Sequence, residues 1–108
     1  MRFLVSRHLA PMVFSKLLES LPLEGAASLS GKMLVLLVNL KAPTDKIKRN
    51  FDAGDLAYDP RTRALCVMTD RVHDLAMAHL GSIENRSSLS SIRSSDWFVL
   101  KLDRSELQ

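Results

Sequence analysis

The apolar positions fall into short runs broken by Pro, Gly and charged residues. One stretch departs from this. Val13, Phe14, Leu17, Leu18 and Leu21 recur at spacings of one, three and four, which predicts an amphipathic helix over Pro11–Leu21. Pro11 suits the first helical turn, where a missing N–H matters little, and Pro22 stops the helix. The other runs read as strands. Phe3, Leu4 and Val5 predict a first strand within Arg2–Leu9. Met33–Leu40 is apolar almost without alternation, as in a strand buried on both faces.

The clearest unit is Gly54–Met68. Leu56-Ala57-Tyr58 and Ala64–Met68 are apolar runs, and Asp59-Pro60 opens a reversal between them. This predicts a hairpin with Arg61, Thr62 and Arg63 at its tip. Between the helix and the Met33 strand, Leu23–Lys32 reads as a loop of small residues. Lys41–Asp52, with Pro43 and the cations Lys46, Lys48 and Arg49, reads as a solvated loop or edge strand anchored by Ile47 and Phe51, with an anion site as the second reading. Leu75–Leu80 predicts a further strand, with Gly81 marking a bend or bulge. Leu89 and Ile92 suggest one helical turn, Trp97–Leu102 a last strand, and Asp103–Gln108 a frayed end.

Several strands, one helix and frequent turn signals predict a mainly β fold, a small closed or half-closed β-barrel with one covering helix. The expected core includes Val13, Phe14, Leu17, Leu18, Leu34, Leu36, Val38, Leu65 and Val67. A chain of 108 residues suits one domain spanning positions 1–108.

Composition narrows the partners. The net charge of +3 is mildly basic, and the basic residues are scattered. With one Trp and one Tyr there are too few rings for a stacking platform, which argues against a nucleic-acid interface. A lone cysteine, Cys66, allows no internal disulfide and sits in an apolar run. The N-terminal apolar stretch is too short for a signal peptide, and Met33–Val38 is far short of a membrane span. The expectation is a cytoplasmic protein without membrane contact.

Two blocks of the chain resemble a family of small archaeal and bacterial cyclophilin-like proteins of uncharacterised function. One is Leu21-Pro22-Leu23-Glu24-Gly25 followed by Gly31 and the apolar strand. The other is Gly54-Asp55-Leu56-Ala57-Tyr58-Asp59-Pro60 followed by Arg63-Ala64-Leu65-Cys66-Val67. Gly81, Leu89, Ile92 and the strand from Trp97 are similar to that family's closing segment. Ser30 and Asp59 stand where the family has Trp. The resemblance implies a cyclophilin-like barrel.

Catalytic signatures are weak. A prolyl isomerase needs an apolar proline pocket and a guanidinium, and Arg61, Arg63 and Arg71 lack the Phe, Met and Gln surroundings of true cyclophilins. His73 and His79 are six residues apart, which is no zinc-ligand spacing, and His8, Asp70 and Asp74 complete no known metal signature. There is no Gly-x-Ser-x-Gly elbow and no phosphate-binding glycine loop. No cofactor is expected. The remaining reading is a non-enzymatic module for a small molecule, peptide or protein partner, with weak prolyl isomerisation and anion or nucleic-acid binding as alternatives. Its mouth is expected between the Glu24–Gly31 loop, Tyr58 and the Asp70–Asp74 loop, with Glu24, Tyr58, Arg61, Arg63 and Arg71 as ligand contacts. Those arginines suit an anionic or carboxylate-bearing partner.

Overall fold

The elements are β1 (Phe3–Val5), α1 (Pro11–Ser20), β2 (Leu23–Ser30), β3 (Met33–Leu36), β4 (Ile47–Lys48), β5 (Asp55–Asp59), β6 (Ala64–Met68), β7 (Met77–Ile83) and β8 (Trp97–Leu100). The computed structural model describes residues 3–5, 9–20, 23–43, 46–83 and 97–100. All strand pairings are antiparallel, in the order β1-β7-β5-β6-β3-β2-β8, and β4 also pairs with β7. Among the described residues the fold is thus mainly β with one helix. Among the described residues β1 and β8 do not pair, so the sheet is not closed.

The hairpin forms as its pattern predicts. Tyr58 lies opposite Leu65 and Ala57 opposite Cys66, with Pro60–Arg63 as the four-residue tip. Both strands are buried because the sheet is covered on two sides. On one side Val13, Phe14 and Leu17 of α1 share a cluster with Leu34, Leu36, Leu56, Tyr58, Leu65, Val67 and Leu80. On the other, Ala57, Cys66, Met68 and Met77 lie under Phe51 and Val72. Those two residues form an isolated bridge through both backbone bonds, 2.8 and 2.9 Å.

Four expectations need correction. Leu23–Ser30 is not a loop. It is a strand, because Ala27 to Ser30 find partners in Leu36 to Met33 across a two-residue turn. Gly31 opens that turn at φ 59, the feature that places Gly first in a type II′ hairpin. Second, the Met33 strand stops at Leu36. Asn39 turns left-handed (φ 51) and Leu37 is exposed, so residues 37–43 form an irregular strap. Val38 is only half-buried against the core. Third, Leu18 is exposed, because it sits about 100° round the helix from Leu17, at the flank of the buried stripe. Fourth, Ile47 is exposed on β4, while Phe51 is buried.

The strand expected over 75–80 runs from Met77 to Ile83. Leu56 faces Gly81 and Ala57 faces His79, which leaves Leu80 as the extra residue of a bulge where Gly81 predicted one. The last strand is present over Trp97–Leu100, paired with Leu23–Ala26. The helical turn expected around Leu89 and Ile92, and the frayed end, lie outside the described residues. Among the described residues no helix is long and apolar enough to cross a membrane.

Candidate functional site

The hairpin tip is built by a short polar residue that folds back on its own backbone. The Asp59 carboxylate accepts the Arg61 backbone N–H at 3.0 Å and the Arg61 side chain Nε at 3.2 Å. Such a turn is what Asp before Pro favours. Arg63 ends the tip at φ 58, a left-handed conformation that a side chain disfavours by roughly 1–2 kcal/mol. Its carbonyl accepts the Leu40 N–H at 2.8 Å.

Tyr58 ties the strap to the same place. Its ring is buried among the helix-side residues. Its hydroxyl donates to the Leu40 carbonyl at 2.5 Å and accepts the Ala42 N–H at 3.3 Å. A buried phenol needs a partner for its O–H, and here the strap backbone supplies it. Leu40 is itself buried, so the strap is held by packing as well as by these three hydrogen bonds to Tyr58 and Arg63.

Between strap and tip lies an open cleft of about 430 Å³, lined by Lys41, Ala42, Pro43, Tyr58, Pro60 and Arg63. Among the described lining residues two are cations and none is a carboxylate. Among the described residues neither Lys41 nor Arg63 has an ion-pair partner. The nearby Asp59 is already engaged by Arg61.

The other end of the hairpin is also polar, yet balanced. Asp55 accepts the Asp52 N–H at 2.9 Å, Asp70 accepts the Arg71 N–H at 2.7 Å, and Arg71 pairs with Asp52 at 3.4 Å. Arg49 pairs with Asp74 at 3.3 Å, and Lys48 sits 5.5 Å above the Phe51 ring. Two grooves open here, about 510 and 360 Å³, and both are lined by Asp52 and Arg71. His79 lies beneath them. Its Nε2 is 2.9 Å from the Gly81 carbonyl and 3.6 Å from the Asp55 carboxylate, with Phe51 edge-on to the ring. Among the described residues no group of three or more His, Cys, Asp or Glu could hold a metal ion.

The chain matches no family model, no curated protein and no solved structure.

The sequence-predicted contacts are therefore spread out. Tyr58, Arg61 and Arg63 share the tip. Arg71 lies at the far end, beyond a strand that spans about 13 Å at 3.3 Å per residue. Glu24 lies on β2 opposite Val99, and its side chain is outside the described part of the structure. The Gly31-Lys32 turn keeps company with the Asp70 loop, since the Thr69 N–H donates to the Lys32 carbonyl at 2.9 Å. Sequence reasoning kept an anion site in the Lys41–Asp52 stretch only as its second reading, and within that stretch it singled out Lys46, Lys48 and Arg49 rather than Lys41. Lys48 and Arg49 are engaged internally. The available signal was Asn39, a residue tolerant of left-handed backbone, two positions before Lys41.

Burial settles the thiol. Cys66 is pushed from its ordinary 9.0 up to about 12, chiefly by burial and then by Asp59, against a smaller opposite pull from Arg61. It is a core residue and no nucleophile at neutral pH.

Proposed function

We propose that this chain is a half-closed, cyclophilin-like barrel that works as a non-enzymatic binding module. Its ligand is a small molecule or peptide that presents an anionic group to the cleft between the strap and the hairpin tip. The observation that carries this reading is the pair of cations, Lys41 and Arg63, that line the cleft without a carboxylate among its other described residues. A hydrogen bond to a charged group is worth about 1.5–3 kcal/mol, or roughly a 10- to 150-fold change in Kd. Two such groups give useful affinity to a small anion. The buried Cys66 thiol and a His79 nitrogen held at the Gly81 carbonyl support binding over catalysis.

The test is chemical-shift mapping of the labelled protein against carboxylate-bearing metabolites and short proline-containing peptides. Shifts at Lys41, Tyr58 and Arg63 are expected. Shifts confined to Lys48–Asp52 and Asp70–Asp74 would move the site to the other end and overturn the reading. Prolyl isomerisation of the same peptides by the protein would overturn its non-enzymatic part.

A further inference from the structure

Resting on that cleft reading, we infer that the anionic group is a phosphate monoester carried by a small molecule, and not a lone carboxylate. The local charge comes first. Asp59 and Arg61 cancel, which leaves Lys41 and Arg63 as two uncompensated positive charges among the described residues. A phosphate monoester brings close to two negative charges at neutral pH, and a carboxylate brings one.

Geometry points the same way. Lys41 belongs to the strap and Arg63 to the tip, so the two cations stand on different walls. A carboxylate that meets an arginine fork with both oxygens has only their remaining lone pairs to offer the lysine. A phosphate can fill the same fork and still present a third oxygen, with its share of a second charge, to the lysine. The cleft, at about 430 Å³, lies within the range of small-molecule sites.

Backbone strain is the independent observation. Arg63 holds φ 58 at a hairpin end, where glycine would sit freely. Its carbonyl bond to Leu40 needs no particular side chain. Among the described residues Asn39, Lys46 and Asp74 share this conformation, and Arg63 is the one of the four that lines the cleft, with no ion-pair partner among the described residues.

The experiment is titration calorimetry of the whole chain with phenyl phosphate and with benzoate, which share the ring and differ in the anion. Phenyl phosphate is expected to bind at least about 10-fold more tightly. Arg63→Gly is expected to lose about 10-fold or more of that affinity while its Tm stays level or rises, because glycine relieves the strain. A merely structural Arg63 would give the opposite pattern, a lowered Tm with affinity kept, and would overturn the assignment. Lys41→Ala is expected to weaken phenyl phosphate more than benzoate. Equal affinity for the two ligands overturns the phosphate inference and leaves the anion cleft standing. No binding of either ligand to the wild type overturns both. A phosphoserine peptide that binds more tightly than phenyl phosphate overturns the small-molecule assignment.

Discussion

The two ends of the β5–β6 hairpin carry similar residues and differ in how their charges are matched. At the open end Arg71 pairs with Asp52 and Arg49 with Asp74, and Lys48 rests over Phe51. At the tip Arg61 takes Asp59, while Lys41 and Arg63 line a cleft with no acid among its described residues. The open end has its own volume, in two grooves that Asp52 and Arg71 line together. Volume therefore does not separate the ends. Compensation does. A cation already beside a carboxylate has part of its charge offset before a ligand arrives, and one without such a partner does not.

The comparison requires that the ends differ in charge and not in packing. Leu65 lies against Tyr58 at the tip and Met68 lies near the open end, and both are fully buried. Leu65→Ala and Met68→Ala should each cost ~2–5 kcal/mol in urea melts. If one of them is neutral, the ends differ in their cores and the electrostatic contrast loses its footing.

Midway along the same strand, Cys66 gives a pH-dependent control. Its folded pKa of about 12 lies above its ordinary 9.0, so the folded chain holds the proton that the unfolded chain releases. Its contribution is complete below pH 9 and is lost as the pH rises toward 12. The stability of the wild type relative to Cys66→Ala should fall over that window in denaturant melts. A flat difference would mean that the thiol is more exposed than the structure has it.

Smaller effects belong to the open end. Gly31 holds φ 59 with nothing within 4 Å of where a Cβ would stand, so conformation alone restricts it. Gly31→Ala should cost ~1 kcal/mol, and Gly31→Asn less, as read by thermal melts. Arg49→Ala should shift stability by no more than ~0.5 kcal/mol, since both partners of that ion pair are well exposed. A larger loss would show that the open-end pairs hold the Phe51 cover in place and are more than a local charge balance.

The hairpin and the helix were legible because each has a strong pattern of its own. Asp59-Pro60 punctuates two apolar runs, and Val13, Phe14 and Leu17 repeat at the helical period. β2 was not legible. Its Gly, Ala and Ser residues have little strand preference, and pairing with β3 and β8 decides their conformation. The cover over the second sheet face was half legible: Phe51 stands out as apolar, but its bridge to Val72 joins two irregular segments that have no period. At the cleft, Tyr58 and Arg63 came from the hairpin pattern. Lys41 did not, because it reaches the tip only when the strap folds back through Leu40 and Tyr58. Nor can a sequence show which of several arginines already has a partner.

That difference can be measured by comparing Arg63→Ala with Arg71→Ala in thermal melts, each with and without phenyl phosphate. A ligand at about 100 times its Kd stabilises the folded state by about 2.7 kcal/mol. The wild type and Arg71→Ala should both show this gain, and Arg63→Ala should lose most of it. The reverse result, with the gain kept in Arg63→Ala and lost in Arg71→Ala, would place the anion at the open end and contradict the account.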